Sequence, residues 1–161
     1  MKPTVAILMG SDSDALSLKP CGEILKELGI SFIAKVLSAH RTPDETVEFV
    51  KSARKNGIKV IIAAAGGAAH LAGVAAANTS LPVIGIPVET SSFKGMDSLL
   101  STVQMPAGTP VATVAVGSGG VKNAAFLAAR ILALEDTKLE KAVEKYKEDS
   151  RKKILSKEVN L

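Results

Sequence analysis

The sequence predicts an α/β fold in three layers: a doubly wound parallel sheet of flavodoxin-like form, in a single domain with a C-terminal extension helix. Short apolar runs recur without polar alternation, the pattern of strands buried on both faces. Each run ends in a Gly- or Ser-rich turn and leads into apolar residues spaced three and four apart, the stripe of an amphipathic helix. The connections are short, and alternation of this kind implies parallel strands covered on both faces.

The first strand is the run 5–9, closed by Gly10. Leu18, Cys21, Ile24, Leu25 and Leu28 then share one helical stripe, and Gly29 stops the helix where glycine is favoured. A second strand spans 30–37 and runs into Ser38-Ala39-His40-Arg41. Thr42-Pro43-Asp44-Glu45 announces the next helix, with Thr42 as cap, Pro43 in the first turn and Glu45 returning a bond to the cap. Val47, Val50 and Ala53 form its buried side, and Asn56-Gly57 ends it. A third strand spans 60–65, closed by Gly66-Gly67, and an alanine-rich helix follows through Ala77. The fourth strand spans 82–88. A loop and a short helix over 97–103 lead to a fifth strand over 111–116, and residues 123–134 make an apolar helix.

The last segment differs. Thr137 and Glu140 form a second capping box, and Leu139, Val143, Tyr146, Ser150 and Ile154 define a stripe. That stripe is thin for a helix bound to its own core. Residues 135–161 are therefore expected to lie along the 1–134 core or to reach a neighbouring subunit. With no repeat, linker or low-complexity tract, the 161 residues read as one domain.

Composition narrows the function. At 47% hydrophobic and 22% charged residues, the chain fits neither disorder nor a membrane protein. Aromatics are 3% with no Trp, so base-stacking surfaces are scarce, which argues against a nucleic-acid partner. Charge is 20 Lys+Arg against 16 Asp+Glu, +4 overall, and the excess gathers near the C-terminus among interleaved acids, as on a solvated helix face. The one cysteine, Cys21, excludes a disulfide framework and a cysteine-rich metal site. No cleavable signal layout or spanning apolar stretch is present, so a cytoplasmic location is expected.

Ligands in open α/β sheets sit at the carboxyl ends of strands, and three such ends carry unusual residues. Gly10-Ser11-Asp12-Ser13-Asp14 offers small residues, hydroxyls and the start of a helix; it reads as a phosphate cradle or as ordinary helix capping. Ser38-Ala39-His40-Arg41 sets a guanidinium suited to phosphate beside an imidazole able to move protons near neutral pH. Gly66-Gly67-Ala68-Ala69-His70-Leu71 gives a flat backbone surface and the chain's other histidine. Both histidines thus follow strand ends. No metal-ligand spacing and no Ser-His-Asp order stands out, and Cys21 reads as packing. The loop 91–110, with Asp97, Ser98, Gln104, Met105 and Pro106, reads either as functional or as a lid or subunit contact.

These three segments, together with the stretch from Asp97 to Pro106, closely resemble the 5-(carboxyamino)imidazole ribonucleotide mutase family of purine biosynthesis, in the AIR carboxylase group. The likeness runs from Val5 to about Leu134. It implies movement of a carboxylate from the exocyclic nitrogen of an imidazole ribotide to ring carbon 4, without metal, ATP, biotin or other cofactor. It further implies His40 as general acid/base, and His70 with Gly66, Gly67, Ala68 and Leu71 around the carboxylate. Ser11, Ser13, Asp14, Ser38, Ala39 and Arg41 would bind the rest of the substrate, hydroxyl and guanidinium taking the phosphate and Asp14 the ribose. A homo-oligomer, an octamer, is implied as well.

A sister branch carboxylates aminoimidazole ribonucleotide directly with carbon dioxide; it has lysine where this chain has Arg41, and differs over Gly67-Ala68-Ala69-His70. Ala72 stands where the mutase pattern usually has proline, removing a ring that would fix φ near His70. On the residues alone, a phosphate- or nucleotide-binding regulatory module also remains open.

Overall fold

Strands as apolar as these must be covered on both faces, and the architecture follows from that requirement. The computed structural model describes residues 2–159. Strands β1 (Val5–Met9), β2 (Phe32–Val36), β3 (Val60–Gly66), β4 (Val83–Val88) and β5 (Ala112–Thr113) form one parallel sheet in the order β2-β1-β3-β4-β5. That is the expected flavodoxin-like, doubly wound order. The helices are α1 (Ala15–Glu27), α2 (Pro43–Ala53), α3 (Leu71–Ala77), α4 (Met96–Val103), α5 (Ser118–Ala133) and α6 (Thr137–Leu155).

Alternate residues of each strand feed two cores. Val5, Ile7 and Met9 join Val60, Ile62, Ile84 and Ile86 against α1 and α5, with Cys21 and Leu25 fully buried. Ala6, Leu8, Ile61, Ala63 and Val83 pack against α2 and α3. Small residues let the second layer come close: a methyl at Gly85 would overlap the Thr102 side chain of α4 and lie 2.8 Å from Val111 Cγ1.

The register brings three strand ends to one level. Met9 pairs with both Val36 and Ala64, so the chains leaving β1, β2 and β3 emerge side by side.

Several boundaries differ from the sequence reading. β2 begins at Phe32, because Ile30 N–H closes the end of α1 on Leu25 O. β5 is two residues long: after Thr113, Val114 N–H reaches Gly85 O and the chain then turns away. α5 starts at Ser118 rather than 123, with Gly120 tucked so tightly against Ala115 O that a side chain there would overlap it. Neither capping box forms as expected. Thr42 makes no cap bond to α2, and Asp136, not Thr137, caps α6 by accepting from the N–H groups of Lys138 and Leu139 at 2.9 and 3.1 Å. In α2 the buried residues are Thr46, Val50 and Ala53, with Val47 only half-buried.

Helix α6 lies along α5 at its start, where Leu139 is buried and Tyr146 meets Phe126 with ring centroids 4.5 Å apart. Its far end leaves Ile154 66% and Leu155 69% exposed. No helix among the described residues is long and apolar enough to cross a membrane.

Two predictions follow from this packing. Gly85→Ala should destabilise the fold by about 1–3 kcal/mol, read as a lower urea midpoint at unchanged m-value. Burial pushes the Cys21 thiol from its ordinary 9.0 up to about 12. The unfolded chain therefore loses this proton first, and the contribution to stability, full below pH 9, fades as pH rises toward 12. Its slope approaches about 1.4 kcal/mol per pH unit, and Cys21→Ala should flatten that alkaline dependence of the urea midpoint.

Candidate active site

From β1 the chain runs through α1 to the sheet's edge; from β3 it runs through α3 the other way. The crevice of such a fold opens at this switch point, above the carboxyl ends of the two strands. Here it is a cleft of about 440 Å³ lined by Gly10, Ser11, Asp14, Ser38, Ala39, His40, Arg41, Ala65, Gly66, Ala68, His70 and Leu71. Ten of the twelve residues expected at the site line it. Ser13 and Gly67 do not, and Gly10 and Ala65 are additional to that set.

The first loop is built by its own hydroxyls. Ser11, in extended conformation, accepts from Ser13 N–H at 3.3 Å and from the Ser13 hydroxyl at 2.9 Å, and donates to Asp12 Oδ1 at 3.2 Å. Ser13 therefore holds Ser11 and is not among the residues lining the cleft. Asp14 begins α1 at the cleft wall. Burial raises its carboxyl above the ordinary 3.8, opposed by Ser11 N–H, the Ser13 hydroxyl and the charge of Arg41.

The second loop turns on Ser38, which is nearly buried. Its Oγ accepts from His40 N–H at 3.4 Å, Arg41 N–H at 3.2 Å and Arg41 Nε at 3.4 Å. Thr42 faces back into this turn: its Oγ1 accepts from Ser38 N–H at 2.9 Å and donates to Ser38 O at 3.2 Å. Thr46, fully buried, adds a hydroxyl to Thr42 O at 2.7 Å. Thr42 thus serves the site's turn instead of the helix end. The Arg41 guanidinium also donates from Nη2 to Gly10 O, tying the loop after β2 to the loop after β1.

The third loop leaves β3 at Gly66 and turns at Gly67, whose φ of +64° favours glycine. Gly67 N–H donates to Ser98 Oγ of α4 at 3.0 Å, so that donor is already engaged. His70 N–H donates to Ala68 O at 2.8 Å, closing the turn that brings its ring back over the cleft. There His40 Nε2 and His70 Nδ1 stand 2.8 Å apart, the rings edge-to-face with centroids at 4.8 Å. One nitrogen carries a proton and the other accepts it. Ala72, at the position where the resembled pattern has proline, is buried in the first turn of α3.

The site therefore combines a shared-proton imidazole pair, a guanidinium, a partly buried carboxylate and a hydroxyl-rich turn at the mouth of a flavodoxin-like sheet. These define a small α/β protein whose cleft suits a polar, anionic small molecule and proton transfer. The AIR carboxylase family profile matches residues 4–153, and the chain belongs to that family. It is 52% identical to N5-carboxyaminoimidazole ribonucleotide mutase of Bacillus subtilis, over 96% of each chain. It is 53% identical to the protein of the same name from Saccharolobus solfataricus, again over 96% of each. Its backbone matches the crystal structure of Treponema denticola PurE with a TM-score of 0.86 at 34% identity, covering 95% of this chain and 94% of that one.

Arg41 bridges two loops and offers the cleft its only guanidinium among the lining residues. Arg41→Ala should raise KM about ten-fold or more while changing kcat less, measured by steady-state kinetics. Unchanged kinetics would remove Arg41 from the binding site.

Proposed function

We propose that this protein is a purine-biosynthesis mutase converting N5-carboxyaminoimidazole ribonucleotide to 5-aminoimidazole-4-carboxylate ribonucleotide. The observation that carries the reading is the 2.8 Å imidazole pair set in one cleft with Arg41, Ser11 and Asp14. Arg41 and Ser11 bind the phosphate by charge-assisted and hydroxyl bonds, and Asp14 accepts from ribose hydroxyls. An acid directly on the phosphate would repel it, so the sugar is its partner.

Protonated His40 gives its proton to the exocyclic nitrogen as the N–C bond to the carboxylate breaks. The bonding pair stays on nitrogen, and carbon dioxide is released into the cleft. Carbon 4, enamine-like, then attacks the trapped carbon dioxide. Neutral His40 takes the carbon 4 proton, restoring the aromatic ring and its own starting state. His70 and the backbone around Ala68 hold the carboxylate, since Gly67 N–H is committed to Ser98. Water exclusion keeps carbon dioxide from escaping. No cofactor enters this sequence of steps.

The catalytic domain is the whole chain, 1–161, with 135–161 as a subunit contact. Exposed Ile154 and Leu155 on α6 support a homo-oligomer, which we take as an octamer in the cytoplasm. Sedimentation at micromolar concentration should give a symmetric oligomer; monomer alone would overturn this.

His40→Asn should abolish turnover while leaving ribotide binding largely intact, checked by substrate conversion and calorimetry. Near-normal kcat would end the mechanism. Supplying aminoimidazole ribotide with bicarbonate, against the carbamate substrate, separates a mutase from a direct carboxylase. Efficient turnover of the first pair alone would reassign the enzyme, and turnover of neither would favour a binding module.

A further inference from the structure

Ser98 lies on α4, outside the cleft, yet its hydroxyl joins the ends of β3 and β4. It is fully buried. Its Oγ donates to Val88 O at 2.6 Å and accepts from Gly67 N–H at 3.0 Å. Val88 pairs with Gly66 as the last rung between these strands. One residue further, the hydroxyl stands between the two chains where a direct ladder bond would otherwise continue. The chain leaves the sheet there, at Gly67 and its positive φ, while the Gly67 N–H stays bonded to Ser98. Three residues later comes His70, whose Nδ1 meets His40 Nε2 at 2.8 Å.

Neighbouring hydroxyls hold α4 in place for this contact. Thr90 Oγ1 donates to the Asp97 carboxylate at 3.0 Å. Ser101 Oγ donates to Asp97 O at 2.7 Å and lies 3.4 Å from Gly67 O.

We propose that Ser98 is a positioning residue for the reaction: by holding Gly67 it sets the His70 turn, and with it the spacing of the two imidazoles. It acts through the backbone and touches no substrate. Without its hydroxyl, Gly67 N–H and Val88 O, on two half-buried residues, lose this shared partner, and they regain bonds by closing on each other or opening to water. Either movement displaces His70. The inference rests on the mutase reading for its kinetic consequence, but not for its structural one.

The test compares Ser98→Ala with Thr102→Val in the full-length protein. Thr102 is equally buried one turn on, its hydroxyl bonding only Ser98 O within the helix, at 2.7 Å. For Ser98→Ala, kcat should fall about ten-fold or more with KM within about three-fold. Because the chain has two histidines, nitrogen-15 labelling of histidine shows these rings alone, and both titration curves should move. Thr102→Val should lose thermal stability while keeping kcat and both curves. Wild-type kcat and curves in Ser98→Ala, or the same losses in Thr102→Val, would overturn the proposal. Should Ser98→Ala not fold, residue-resolved hydrogen exchange of the wild type decides: Gly67 N–H about 100-fold slower than Ala68 supports the latch, and equal rates overturn it. A wild type without mutase activity would refute the functional reading and leave the histidine and exchange measurements able to judge Ser98.

Discussion

The molecule depends on one geometric constraint: β1, β2 and β3 end at a common level. Met9 pairs with Val36 on one side and Ala64 on the other, a parallel register fixed by buried apolar side chains on both faces. A slip of one residue would exchange the faces of Val5, Ile7 and Met9 with those of Ala6 and Leu8, so the core itself holds the level. Three loops then emerge side by side, and groups from residues 10–14, 38–41 and 66–71 meet though far apart in sequence. The imidazole contact crosses 30 residues of chain because β2 and β3 end at one level on either side of β1.

Convergence of loops has a polar cost, since each must bury backbone groups that no ladder satisfies. This protein meets it with hydroxyls. Ser11, Ser38, Thr42, Thr46 and Ser98 each bond backbone at a strand end or the turn after it. Among the described residues no buried side-chain nitrogen or oxygen lacks a partner. A hydroxyl suits the task because it donates and accepts at once, as Ser98 does between Val88 O and Gly67 N–H.

The strands and the three loops were legible because both follow local rules: apolar runs mark buried strands, and glycine, serine and histidine stand out just after them. The length of β5 was not, because its extent is set by Val114 meeting Gly85 and by the chain turning toward Gly120, contacts distant in sequence. The start of α5 was hidden by Gly119 and Gly120, poor helix formers, of which Gly120 answers to packing against Ala115. Thr42 read as a helix cap because the pattern Thr-Pro-Asp-Glu fits one, while its hydroxyl is claimed by Ser38 four residues earlier. Ser98 carried no signal beyond its motif. A buried serine on a helix announces itself only once its partners on two strands are known.

Asp14 and Arg41 bring opposite charges to the same cleft, and their roles differ through solvation. Arg41 is exposed and held by Gly10 O and Ser38 Oγ, so its other donors can face an anion without desolvation first. Asp14 is partly withdrawn from water, which raises its carboxyl, while Ser11 N–H, the Ser13 hydroxyl and Arg41 pull it back. A carboxylate balanced in this way accepts from neutral hydroxyls at little repulsive cost and would oppose a second anion placed against it. On the proposed reading, the two loops would sort the ends of a ribotide: the phosphate toward Arg41, the sugar toward Asp14, and the base over the paired rings.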